Sequence, residues 1–277
     1  MKRLINSVLT LGKVLLKSKR VSNTPARDAG KPLIIMGNGP SLRQAMERDA
    51  DILHATDLMA VNFFADTPEF RQFKPRHYIL ADGHFFSNLS DPNVERLWRS
   101  LRASDWPMTL HVPHGSVPAG LPANIEVRRF NMTPAEGYDW LCHSLYRRGL
   151  AMPRPRNVMI PAIMEGIREG YREIFLVGAD HTWPHTLYVD RDNRVVTVQP
   201  HFYKENPAEL DRIAEVYAGV RLHEVLGSMV VAFRSYHALR DFAKKEGVGI
   251  FNATPESLID AFPRRELRSL TPGAEPR

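Results

Sequence analysis

The chain has a single cysteine, Cys142, so no internal disulfide can form and a reducing compartment fits. It has no run of 18 or more apolar residues, which excludes a spanning helix of the usual kind. Neither G-x-G-x-x-G nor G-K-[ST] is present, so the dinucleotide fingerprint and the P-loop are both excluded. Internal repeats and low-complexity tracts are also missing. Most informative is a missing sign of charge. Residues 1–27 hold Lys2, Arg3, Lys13, Lys17, Lys19, Arg20 and Arg27 and no acidic residue. The other 30 basic residues face 31 acidic ones, so the net charge of +6 belongs to a tail and the body is near neutral. A basic groove for nucleic acid needs its charge in the body, so no nucleic-acid partner is expected.

What is present begins with that tail. On a helical wheel Leu4, Ile5, Val8, Leu9, Leu11, Leu15 and Leu16 occupy one half. Lys2, Arg3, Asn6, Lys13, Lys17 and Arg20 occupy the other. This is the pattern of a basic amphipathic helix lying in an anionic membrane surface. The alternatives are packing on the protein's own core or on a partner chain. A secretory signal fits less well, because Lys13 breaks the apolar run and no small-residue cleavage site follows. The expected location is therefore cytoplasmic, peripherally attached to the inner face of the cell membrane. A homo-oligomer stays open.

The expected organisation is an amphipathic helix over 1–22, a linker over 23–31, one α/β domain over 32–268 and a disordered tail over 269–277. A flap or lid is expected over about 181–226. Strands are predicted at 32–36, 58–62, 77–81, 108–112, 125–130, 173–177 and 248–252. Helices are predicted at 41–48, 93–103, 135–148, 158–170, 207–220, 227–246 and 255–261. Short apolar runs alternating with helices argue for a Rossmann-like, mostly parallel sheet covered on both faces. Residues 187–198 carry two β-branched runs around Asp190-Arg191-Asp192-Asn193, a hairpin signal.

The strongest motif is Gly37-Asn38-Gly39-Pro40-Ser41-Leu42, directly after the apolar run Leu33–Met36. It reads as a first strand turning into a helix, where α/β proteins usually bind ligands. The two glycines permit close backbone approach, and free N–H groups at a helix start favour an anion. An ordinary strand–turn–helix corner is the plain alternative. Asp82-Gly83 after the third strand reads either as a turn or as a ribose or Mg²⁺ contact. Asp180-His181-Thr182-Trp183-Pro184-His185 contains H-x-x-x-H, but Pro184 argues against the regular helix a zinc pair would need. His181 is instead a candidate substrate-binding residue.

Four segments carry a further signal: the 37–42 motif, Val61-Asn62-Phe63-Phe64, the block from Glu165 to Asp180, and Phe251-Asn252-Ala253-Thr254-Pro255-Glu256-Ser257. They resemble the bacterial sialyltransferases of glycosyltransferase family 42, and related Rossmann-like proteins grouped with archaeal pterin diphosphokinases. The match runs in order over roughly residues 32–262. The resemblance implies a cytidine-monophosphate-sugar donor, a glycan or glycolipid acceptor, and no required cofactor. It implies that Gly37, Asn38, Gly39, Pro40, Ser41 and Asn62 hold the nucleotide, with Gly178 and Asp180 beside it. It implies a tyrosine at Tyr188 for the departing phosphate, with Thr182 where a second would fall. It implies a histidine general base, for which His201 and His223 are the candidates. Arg156 and Asn157 stand where the family has Arg-x-x-Ser-Gly for the sugar carboxylate. Asp82 stands where the family has Asn, which is closer to the diphosphokinase-like relatives. A Mg²⁺- and ATP-dependent enzyme is therefore the alternative, and a non-catalytic nucleotide-binding partner in polysaccharide assembly is a third reading.

Overall fold

The computed structural model describes residues 1–21, 30–118, 120–197, 201–202 and 219–270. A seven-stranded sheet runs β5-β4-β3-β2-β1-β6-β9, every neighbouring pair parallel. Its strands are β1 (Leu33–Met36), β2 (Asp57–Val61), β3 (His77–Ile79), β4 (Met108–Pro113), β5 (Ile125–Phe130), β6 (Glu173–Val177) and β9 (Gly249–Asn252). The expected Rossmann-like α/β fold is observed. β1 is buried throughout, and its side chains alternate between two cores. Leu33 and Ile35 face the helices α7 (Asp139–Arg147), α8 (Met159–Arg168) and α9 (Leu222–Lys245). Ile34 and Met36 face α2 (Ser41–Arg48), α3 (Ala50–Ala55), α4 (Glu69–Phe73) and α6 (Pro92–Arg102). Burial on both faces explains why these strands read as continuous apolar runs.

Strand order reverses between β1 and β6: the chain builds outward from β1 to β5, then returns to add β6 and β9 on the other side. In a parallel sheet this switch point opens a crevice at the carboxyl ends of the two strands. Both turns that carried the sequence motifs, 37–41 and 178–181, lie there.

Three expectations need correction. Residues 255–261 form turns, not a helix. Asn252 Nδ2 donates to Ser257 Oγ and to the Ile259 carbonyl, and Ser257 Oγ donates to the Ala179 carbonyl at 2.6 Å. Side chains thus meet the needs a helix would have met with its backbone. The last helix starts at Leu222, five residues earlier than predicted. Residues 269–270 belong to a 3₁₀ turn, Leu267–Leu270, so the tail is ordered to that point. The linker at 22–29, the helix predicted at 207–220 up to 218, and residues 271–277 lie outside the described residues. The hairpin is present as β7 (Tyr188–Val189) and β8 (Val195–Val196). Val195 packs on Val225 and Met229 of α9, beside Trp183 and Phe233.

Helix α1 (Lys2–Lys17) docks on the body. Its buried residues are Ser7, Thr10 and Val14, not the leucine face. Thr10 Oγ1 donates to the Glu136 carbonyl at 2.8 Å and accepts from the Glu136 N–H at 3.0 Å. No helix among the described residues is long and apolar enough to cross a membrane.

Candidate active site

A cavity of about 490 Å³ opens at the switch point. Gly37, Asn38, Gly39, Pro40, Asn62, Asp82, Gly83, Arg156, Asn157, Gly178, Asp180, His181 and His201 all line it. Four separate strand ends and the start of α8 therefore bring together nearly every predicted site residue. Three predicted residues lie elsewhere. Ser41 stands just behind the wall, bonded to Asp180. Tyr188 is exposed on the hairpin, and His223 is exposed in the first turn of α9; neither lines the cavity. Tyr188 followed from counting along the resemblance, and the hairpin instead spends its buried contact on Val195 against α9.

The glycines join two turns. Gly37 N–H donates to the Val177 carbonyl and Gly39 N–H to the Gly178 carbonyl, both at 2.8 Å. A Cβ on Gly178, whose φ is +62°, would stand 2.1 Å from the Gly37 carbonyl oxygen. A Cβ on Gly39 would stand 1.9 Å from an Asp180 carboxylate oxygen. Close approach is thus required, but of backbone to backbone and of backbone to Asp180. The expected anion site at the start of α2 is also taken. Ser41 N–H and Oγ donate to the Asp180 carboxylate at 3.2 and 2.8 Å. Burial raises the Asp180 pKa, and the Ser41 bonds oppose that shift. The Asp180 carboxylate thus occupies the Ser41 N–H and offsets the positive end of the helix.

Gly178→Ala is expected to destabilise the fold by about 2–5 kcal/mol, from a left-handed backbone and a backbone clash together. Thermal unfolding should show a midpoint lowered by roughly 5–15 °C. A midpoint equal to that of the unsubstituted protein would show that the two turns do not interlock.

What the cavity presents is a set of amides. Asn38 Oδ1, Asn62 Oδ1 and Asn157 Nδ2 are buried without a hydrogen-bond partner. Their orientations follow from the other ends of two of these side chains. Asn38 Nδ2 donates to the Val61 carbonyl at 3.1 Å. Asn157 Oδ1 accepts from the Met159 N–H and the Tyr236 hydroxyl, both at 3.0 Å. Asn62 is held in the left-handed region with φ 50°. An unpaired buried amide atom costs about 1–3 kcal/mol, so three around one cavity make it the candidate ligand site. Arg156, on the rim, makes no hydrogen bond or ion pair and is exposed. It supplies the positive charge that the helix start does not.

Behind this wall lies a relay the sequence did not reveal. His181 Nε2 lies 2.6 Å from the Tyr236 hydroxyl. Tyr236 gives its proton to Asn157 Oδ1, so His181 Nε2 carries a proton and donates it to the tyrosine oxygen. His181 is buried and packs at a tilt against Trp183, ring centroids 4.3 Å apart. Burial pushes its pKa down to about 3, so it stays neutral at neutral pH. Its φ of 54° is a left-handed conformation that histidine seldom takes. His181 is therefore a hydrogen-bonding wall residue and not a proton acceptor.

His201 is placed by its neighbour. Phe202 N–H donates to the Asn38 carbonyl at 3.0 Å, and Arg43 donates to the Phe202 carbonyl at 2.6 Å. These bonds tie His201 to the first-strand turn. Asp82 is exposed and accepts from His84 N–H at 2.9 Å, which is the turn-forming role. His185 is exposed while His181 is buried, and the segment is a 3₁₀ turn, Trp183–Thr186. Among the described residues no cluster of three or more His, Cys, Asp or Glu could hold a metal ion.

No protein-family model matches the chain, and no curated protein matches its sequence. Among solved structures the chain is similar to the MAf glycosyltransferase from Magnetospirillum magneticum AMB-1. The two share 12% identity with a TM-score of 0.53. The similarity covers 92% of this chain and 36% of that one, so this chain spans about a third of the other's length. At this identity the likeness establishes a shared fold. It does not single out the family 42 sialyltransferases that the motifs resemble.

Proposed function

We propose that the chain is a glycosyltransferase that takes a nucleotide-activated sugar, and that the donor is a cytidine-monophosphate nonulosonic sugar. The observation carrying the first part is the trio of unpaired amide atoms of Asn38, Asn62 and Asn157 around one cavity at the switch point. Two acceptors and one donor suit the hydroxyl and amide groups of a nucleoside and a sugar. A solved glycosyltransferase with the same fold supports the reading. The cytidine and the acidic sugar rest on the motif resemblance, helped by Arg156 as a free partner for a carboxylate or phosphate.

In this reading the acceptor hydroxyl oxygen bonds to the anomeric carbon of the sugar. The bond from that carbon to the phosphate oxygen breaks, and the nucleotide leaves with its electron pair. His201 holds the proton removed from the acceptor. The protein's work is to position the reactants and take that proton, because the phosphate is already a leaving group.

The test is a thermal-shift screen of the full chain with cytidine nucleotides, and with ATP plus Mg²⁺. At a hundredfold excess over Kd a cytidine nucleotide should raise the midpoint by at least about 5 °C. A Mg²⁺-dependent ATP shift without a cytidine shift would overturn the donor assignment. Asn38→Ala should weaken the bound nucleotide about 5–100-fold by calorimetry. Arg156→Ala should weaken the sugar nucleotide by roughly 10–150-fold. Arg156→Ala should spare the free nucleoside, because the lost contact is to a charge.

A further inference from the structure

Helix α1 has three faces, and two are accounted for. At about 100° per residue Ser7, Thr10 and Val14 form one stripe, and this stripe is the buried one. Leu4, Ile5, Val8, Leu9, Leu11, Leu15 and Leu16 spread over roughly 160° on the side away from it, and all are exposed. Lys2 and Lys13 border the apolar face. Soluble monomers rarely leave so many large apolar side chains together in water.

The helix is not loosely hung. Besides the paired Thr10–Glu136 bonds, Ser7 Oγ accepts from Tyr138 N–H at 3.0 Å. Ser18 Oγ lies 2.6 Å from the Leu150 carbonyl and 2.8 Å from Thr133 Oγ1. Asn131 bonds both the Lys19 N–H and its carbonyl. A Cβ on Gly137, φ +140°, would stand 2.2 Å from Ser7 Oγ, so the contact needs glycine there. Small polar side chains make the dock, and the leucines are left outside it. Docking therefore fixes the apolar face outward.

We infer that this face is a docking surface for an anionic lipid bilayer. Charge complementarity selects the occupant. The first 27 residues carry seven basic and no acidic side chains, and Lys2 and Lys13 line one edge of the apolar stripe. That arrangement attracts anionic headgroups while the leucines enter the acyl boundary. A second copy of this chain would bring the same positive charge to the same face and be repelled. Trp140, exposed one residue after the Asp139 that pairs with Arg3 at 4.0 Å, adds an aromatic of the kind favoured at interfaces.

The dock also reaches a segment of the cavity wall. α1 is bonded to the segment 131–138, which contributes Met132 to the cavity wall. Glu136 continues to Arg154 at 3.1 Å, next to the wall residues Pro155, Arg156 and Asn157. The dock and one wall of the cavity thus share the segment 131–138. This holds whether or not the cavity performs glycosyl transfer.

The test is co-sedimentation of the full chain with vesicles of equal parts phosphatidylglycerol and phosphatidylcholine. Binding is expected at low salt, weakened by high salt and weak on phosphatidylcholine alone. Leu15 and Leu16 are 84% and 83% exposed and touch little of the body. L15E with L16E should lower partitioning at least about a hundredfold and leave the unfolding midpoint unchanged. Lys2→Gln with Lys13→Gln should lower it about 25-fold, near fivefold per lysine. Protein that ignores the anionic vesicles would overturn the inference. So would equal binding to both vesicle types. A dimer in light scattering that L15E with L16E dissociates, without vesicle binding by the unsubstituted protein, would assign the face to a second copy instead.

Discussion

In the proposed transfer, replacing His201 by alanine is expected to lower the turnover of the CMP-activated sugar about 10²–10⁴-fold, the range of a lost general base. Donor affinity should change little, because the proton comes from the acceptor. The geometry narrows the choice of base. His223 and His185 are exposed and away from the cavity. His181 is in the wall, but its pKa of about 3 leaves it a poor proton acceptor. Asp180 is already accepting two hydrogen bonds from Ser41. His201 is left as the imidazole of the cavity wall to which none of these objections applies. The measurement is single-turnover release of CMP against pH, with His201→Ala and His223→Ala beside the unsubstituted chain. Release should collapse in the first variant and survive in the second. A dead His223→Ala with an active His201→Ala would move the base to α9 and require that helix start to close over the cavity.

The parts of the fold written in local pattern were legible in the sequence. β5 and β6 fall at the residues predicted, 125–130 and 173–177, and so does α2 at 41–48. Each is an apolar run or period with clear punctuation. α3, α4 and the four-residue α5 (His84–Ser87) were missed because four to six residues hold too little of a helical period to be seen. The false helix at 255–261 has the opposite cause: Pro255 and Ser257 resemble a helix start, and only Ala179 and Asn252 reveal that Ser257 is engaged elsewhere. The cavity was legible because its asparagines and glycines sit at strand ends. Its inner support was not. Asp180 meets Ser41 across 139 positions, and His181 meets Tyr236 across 55. Tyr236 lies in the middle of a 24-residue helix among other large side chains, so nothing local sets it apart. The N-terminal leucines were read correctly as one face. That Ser7 and Thr10 would do the docking was not readable, since both are ordinary helix-surface residues.

The unfolding free energy is expected to fall as pH drops from 6.5 toward 3, and His181→Asn should remove a defined part of that fall. The sign follows from linkage. Folded His181 has a pKa near 3, held down by burial, while the unfolded side chain returns to its ordinary 6.5. Between these values the unfolded state binds a proton that the folded state does not, so stability rises with pH. The contribution is fully present above pH 6.5 and is lost as the pH approaches 3. At pH 5 the loss from this one residue is about 2 kcal/mol. His77 is also buried, and burial first, then His111, Arg76 and Arg128, lower its pKa in the same direction. The unsubstituted chain therefore shows the sum, and the variant isolates the His181 share. Asparagine suits the test because it tolerates the left-handed backbone that His181 adopts. The variant loses the Tyr236 bond and the Trp183 ring contact, so its stability at pH 7 will be lower. The reading is the difference in slope between pH 6.5 and 5 in denaturant titrations, where most carboxylates stay ionised. Parallel curves would mean that His181 is protonated in the folded protein. Its Nε2 proton would then no longer be the only one, and the wall would present a cation where neutral hydrogen-bonding groups are proposed. A shallower curve for the variant keeps His181 neutral and leaves the positive charge of the cavity to Arg156.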